Sequence, residues 1–157
     1  MPKNVLYADD DAGLRRLVER GLGAQGVRVV AVEDGLAAIE AIQNEEFDVV
    51  ALDHYMPRLD GLGALQRIHE MPNHPPVIIV TGAQDSGIAV NALKAGAFDY
   101  VVKDASGQFV PLLFAALQAA VDAMRMRRGR EAAEAELREQ KDKFEKLAAE
   151  RALLLRE

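Results

Sequence analysis

A chain of 157 residues, half of them apolar, is long enough for one self-sufficient core and too apolar to stay disordered. Its formal net charge of -6 gives no support to a broad nucleic-acid-binding surface, and its lack of cysteine excludes disulfides, thiolate nucleophiles and cysteine-ligated metals together. No apolar run approaches a membrane span and the first residues lack the pattern of a secretory signal, so the expected location is cytoplasmic.

Residues 5–8 read as a short buried strand that runs into Asp9-Asp10-Asp11. Leu14, Leu17, Val18 and Leu22 then recur at helical spacing until the break at Gly23 and Gly26. The same grammar repeats along the chain. Strands are expected over 27–32, 47–52 ending at Asp53, 77–80, and 98–102 ending at Lys103; helices over 36–42, 62–68, 88–93 and from 109 to about 126. Strand-like segments alternating with helical crossovers imply right-handed βαβ units and a parallel sheet covered on both faces. The apolar runs at 77–80 and 101–102 suit central or nearly central strands.

Composition shifts near Arg127. Beyond Gly129 there is neither Pro nor Gly, only a dense mixture of Ala, Leu, Glu, Lys and Arg, which predicts helix to the end of the chain. Glu134/Arg138, Glu139/Lys143 and Asp142/Lys146 stand four apart in the favourable order. Ala133, Leu137, Phe144, Leu147 and Leu154 fall on one coiled-coil register that Gln140 and Arg151 interrupt. A two-stranded coiled coil, hence a homodimer through this helix, is one reading; a helix folded back on its own domain, or frayed, is the other. The expected organisation is a domain over 1–126 and a signalling helix or coiled-coil linker over 127–157.

Loops at the carboxyl ends of parallel strands form ligand sites. The strand reading places Asp9, Asp10, Asp53, Thr81 and Lys103 on that one edge. Carboxylates this close repel unless a proton or a cation intervenes, and Mg²⁺ suits oxygen ligands. Asp10 and Asp53 are the expected direct ligands, Asp9 acts directly or through water, and the backbone carbonyl of Tyr55 completes the set. An acid after the first strand can also simply cap the following helix, the role expected of Asp11. A carboxylate can attack phosphorus, and Asp53 is the best-placed nucleophile, with Lys103 and the Thr81 hydroxyl as partners for phosphoryl oxygens.

Asp9-Asp10, Asp53 with Met56-Pro57 and Asp60-Gly61, Thr81-Gly82-Ala83, and Gly96-Ala97 followed by Asp99 to Lys103 resemble the receiver domains of two-component response regulators, over about residues 3–125. The resemblance implies a flavodoxin-like, doubly wound α/β fold with five parallel strands in the order 2-1-3-4-5 and five helices. It implies phosphotransfer from a histidine kinase or a histidine phosphotransfer protein onto Asp53, then autodephosphorylation, with Mg²⁺ as cofactor. On the same pattern Thr81 and Tyr100 are the switch residues and Lys103 the site lysine. Asp104 stands where many receivers carry Pro; it is expected to draw Lys103 into a local ion pair when Asp53 is unphosphorylated. His54 is expected to hydrogen-bond locally or to influence water access rather than carry a phosphoryl group.

Residues 150–157 are similar to the stretch before the phosphoacceptor histidine in sensor kinases of the HWE-type or related class. That likeness implies the N-terminal receiver and linker of a hybrid histidine kinase. The chain itself has no Gly-rich ATP-binding sequence. The alternative is a free-standing single-domain response regulator acting by protein–protein docking. No basic recognition helix suggests a direct nucleic-acid partner.

Overall fold

The computed structural model describes residues 1–156. Its elements in chain order are β1 (Asn4–Ala8), α1 (Ala12–Gly23), β2 (Arg28–Val32), α2 (Gly35–Asn44), β3 (Val49–Asp53), α3 (Gly61–His69), β4 (Val77–Thr81), α4 (Ser86–Lys94), β5 (Asp99–Val102) and α5 (Val110–Arg156). The strands form one parallel sheet in the order β2-β1-β3-β4-β5, the order implied by the resemblance.

Side chains alternate across a strand, and the sheet sorts them into two cores. Val5 and Tyr7 of β1, Val49 and Ala51 of β3 and Ile78 and Val80 of β4 pack with Leu14, Val18 and Leu22 of α1 and Leu113 and Leu117 of α5. Leu6, Val50, Leu52 and Ile79 face the other way, onto Ala38 of α2, Leu65 and Ile68 of α3 and Ala92 of α4. Strands β3 and β4 are therefore buried along their whole length. Strand β5 corrects the expectation made for residues 101–102: it is an edge strand, with Val101 buried and Val102 41% exposed.

Three of the crossover helices start on aspartate caps. Asp11, Asp34 and Asp60 accept from the backbone N–H of Leu14, Ala37 and Gly63 at 3.1, 2.8 and 2.8 Å. Each satisfies a donor that the first helical turn leaves unpaired. Gly61 is dictated by proximity as much as by the turn: a β-carbon there would lie 2.6 Å from the Asp53 carbonyl oxygen and 2.9 Å from the His54 α-carbon. Gly96 adopts φ +105°, a conformation that side chains rarely take.

The chain divides into two compact units, Met1–Asp122 and a second beginning at Ala123. In the second unit the helix is exposed from Arg125 on, Leu137, Phe144, Leu147 and Leu154 included. Of the three ion pairs expected there, Glu139–Lys143 closes, at 3.3 Å; Arg127–Glu131 and Lys141–Glu145 form as well. Glu157, the last residue of the kinase-like stretch, lies outside the described residues. No helix among the described residues is long and apolar enough to cross a membrane.

Candidate functional site

The parallel sheet brings Asp9, Asp53 and Lys103 together from three strand ends. The ladder continues past the strands: Asp9 N–H donates to the Val32 carbonyl at 3.0 Å, His54 N–H to Val80 at 3.1 Å and Lys103 N–H to Thr81 at 2.8 Å. Asp53 keeps the parity of Ala51, Asp9 that of Tyr7 and Lys103 that of Val101, so all three continue the side of the sheet covered by α1 and α5. Asp9 and Asp53 are buried and Asp10 is exposed; each offers one oxygen, and these oxygens lie within 4.8 Å of one another.

Lys103 bridges the two buried acids, with Nζ 2.9 Å from Asp53 Oδ2 and 3.3 Å from Asp9 Oδ2. Burial and the negative charge of Asp9 and Asp10 raise the Asp53 carboxyl to about 6, although Lys103 pulls the other way. Burial disfavours the lysine's charge, yet the hydrogen bond and charge of Asp53, helped by Asp9, hold its pKa above the ordinary value. At neutral pH Asp53 is thus ionised but uncomfortable, a state that a divalent cation would relieve. A set of oxygen donors without nitrogen or sulfur fits a hard divalent cation.

Thr81 ends β4 and is buried; it is the register partner of Val102, while Asp53 pairs with Val80. Tyr100 lies on the exposed edge strand beside Ile79, 40% exposed. The Tyr55 side chain is outside the carboxylate cluster, with its hydroxyl 3.4 Å from Asp85 across the mouth of the site. The Asp85 charge pushes that phenol upward in pKa.

Two expectations need correction. Asp104 does not pair with Lys103, which is occupied by Asp53 and Asp9. Its carboxylate instead accepts from the Ser106 hydroxyl and from the N–H groups of Gln108 at 3.1 Å and Phe109 at 2.8 Å, closing the turn that leads into α5. The Ser106 bond, opposed by burial and aided by the backbone donors, holds its carboxyl below the usual range. The local hydrogen bond expected of His54 is also missing at Nδ1, which is buried without a partner while the ring meets Tyr55 edge-on. Among the described residues every peptide bond is trans, that between Lys103 and Asp104 included.

Sequence reasoning missed the supports of this rim. The Tyr7 hydroxyl donates to Asp9 Oδ2 at 2.7 Å, Asp11 N–H donates to Asp9 Oδ1 at 2.9 Å, and Arg15 Nη1 donates to the Asp9 carbonyl at 2.7 Å. On the loop after Asp53, Arg58 at φ 66° binds the buried Asp34 carboxylate, and Gly35 N–H donates to the Leu59 carbonyl at 3.1 Å. Burial of Asp34 is outweighed by the Ala37 N–H and the Arg58 guanidinium, leaving its carboxyl below the ordinary value. The one available signal was parity: a tyrosine two residues before an acid on a strand shares its face.

Residues 5–111 match the family of the response regulator receiver domain, and the chain belongs to that family. It is similar to the response regulator MprA of Mycobacterium sp. (strain KMS), 36% identical over 103 residues that make up 66% of this chain and 45% of the relative. It is 38% identical over 99 residues to the DNA-binding transcriptional regulator NtrC of Escherichia coli (strain K12), covering 63% of this chain and 21% of that protein. The chain thus spans less than half the length of these curated relatives. Among solved structures, the response regulator domain of Thermotoga maritima CheB superposes with a TM-score of 0.70 at 29% identity, covering 78% of this chain and 98% of that one. NtrX from Brucella abortus gives 0.73 at 27% identity, covering 82% and 29%.

Proposed function

We propose that this receiver accepts a phosphoryl group from phosphohistidine onto Asp53 and signals by protein–protein docking. The observation that carries the proposal is the buried Asp53 carboxylate in contact with Lys103 and grouped with Asp9 and Asp10. An Asp53 oxygen attacks phosphorus, the phosphorus–nitrogen bond breaks, and the departing imidazole keeps the bonding pair and takes up a proton. Hydrolysis by water returns phosphate and the free carboxylate. Lys103 and the Thr81 hydroxyl hold phosphoryl oxygens, which orients the group and spreads its charge. Asp10, Asp53 and the Tyr55 carbonyl would hold Mg²⁺, with Asp9 direct or through water. Bound there, Mg²⁺ supplies neutralisation of charge on the transferring group.

Docking is supported by the apolar groups that α4, β5 and the start of α5 leave uncovered: Val90, Leu93, Tyr100, Val102 and Leu112. Thr81 and Tyr100 would act as the switch beneath them, because Thr81 shares its strand face with Ile79, the register partner of Tyr100. MprA is named a response regulator and the CheB structure a response regulator domain, which favours docking over the hybrid-kinase linkage expected from residues 150–157. In the second unit the apolar seam of Leu137, Phe144, Leu147 and Leu154, all exposed, supports a homodimer through the helix, since pairing of two such seams would take these side chains out of water. A cytoplasmic setting belongs to the same proposal.

The test is Mg²⁺ with a small-molecule phosphodonor, read by intact mass and peptide mapping. Wild type gains one hydroxylamine-labile phosphoryl group on Asp53, and Asp53→Asn gains none. Labelling that persists in the variant, or that ignores removal of Mg²⁺, sinks the proposal.

A further inference from the structure

We infer that the Tyr7 hydroxyl is a positioning group that makes the acidic rim selective for a small divalent cation, a proposal that rests on the Mg²⁺ reading above. Tyr7 is fully buried, its ring in the core between the sheet, α1 and α5, and its hydroxyl bonded to Asp9 Oδ2. That core position requires only an apolar side chain; the oxygen adds nothing to packing and would be a cost without a partner. The partner is the acid that begins the metal cluster.

Asp9 is consequently held at every polar atom that could let it turn. Tyr7 and Lys103 hold Oδ2, the Asp11 N–H holds Oδ1, and Arg15 holds the main-chain carbonyl. Of these, the Tyr7 contact comes from the rigid interior and is buried, whereas Lys103 also serves Asp53. Asp10 is exposed and has no comparable anchor among its hydrogen bonds in the described residues. The stiffness of the cluster therefore enters through Asp9.

Stiffness is what separates cations of equal charge. Mg²⁺ demands a near-regular octahedron with oxygens at about 2.0–2.1 Å, whereas Ca²⁺ accepts about 2.3–2.6 Å and irregular shells. A carboxylate locked from below, acting directly or through an ordered water, favours the smaller ion. Freed of the hydroxyl it can rotate and follow the larger one.

Titration calorimetry of Mg²⁺ and Ca²⁺ binding to the full chain, wild type against Tyr7→Phe, tests this, with metal-free melting as the check on folding. The Mg²⁺ Kd is expected to rise about five- to tenfold and the Ca²⁺ Kd less than twofold, so that the preference for Mg²⁺ shrinks. A Kd ratio unchanged within about twofold overturns the inference, even if both affinities fall together, since equal loss is what general loosening produces. Should Tyr7→Phe fail to fold, Asp9→Asn must shrink the ratio; if it does not, the inference fails. No Mg²⁺ binding by the wild type overturns the cation reading and this inference with it, whereas normal wild-type binding with an unchanged variant ratio overturns the Tyr7 role alone.

Discussion

Two regions of this molecule are rich in charge and use it in opposite ways. At the rim of the sheet, two of three carboxylates are buried, one lysine serves two of them, and a tyrosine, an arginine and a backbone amide fix the first. Along the helix after Ala123, acids and bases meet in water as pairs four residues apart, each worth about 0.2–0.5 kcal/mol and screened by salt. The difference is solvent. The same residue types store strong coupling in one place and supply mainly solubility and helix propensity in the other.

Lys103→Met puts the largest strain on that contrast. Phosphotransfer to Asp53 should fall about 100-fold, the scale of losing one pre-placed positive donor, while Mg²⁺ affinity rises because a competing cation has left the carboxylates. Phosphorylation kinetics and a metal titration on one sample read both signs. Mg²⁺ affinity falling instead would mean that Lys103 organises the acids rather than competing for them.

Asp53→Asn gives the next effect. Because the folded-state carboxyl is raised to about 6, the unfolded chain holds its proton less tightly than the folded one. Ionisation of Asp53 is therefore no handicap below the ordinary carboxylate range, becomes one as pH climbs toward 6, and is at full strength above it. The metal-free variant should be more stable than wild type by about 3 kcal/mol at pH 7.5 and nearly indistinguishable at pH 4. Urea melts in chelator check this, and a variant advantage that grew toward acid would reverse the sign.

The smallest effect on the receiver unit is expected from the helix. Replacing Phe144 and Leu147 together by Ser should abolish self-association in analytical ultracentrifugation and lower helicity, yet leave Mg²⁺-dependent phosphorylation within about twofold of wild type. A dimer that survives the double substitution places the interface elsewhere.

Much of the rim was legible because it is built from periodicity. Once the alternation of strands and helices was read, Asp9, Asp53, Thr81 and Lys103 could fall only on one edge, and strand order followed from the family likeness. The Asp11 cap was equally readable, being local. What escaped were contacts that depend on how far side chains reach. Tyr7 looked like one more strand residue, and nothing in the sequence linked Arg58 to Asp34, 24 positions away. Asp104 was misjudged for a related reason: adjacency to Lys103 suggested a pair, but backbone donors four and five residues on, at Gln108 and Phe109, claimed the carboxylate. The edge exposure of Val102 depended on sheet order, which an apolar run does not state.

The tyrosines give the molecule an optical consequence. There are three and no tryptophan, so the long-wavelength end of the near-ultraviolet absorption, beyond the weak bands of the five phenylalanines, comes from phenols. One phenol is sealed in the core and bonded to Asp9, one spans the site mouth toward Asp85, and one lies on the edge strand. Single Tyr→Phe replacements would therefore divide the native spectrum among the floor, the mouth and the outward face of the receiver, without attaching a label to any of them.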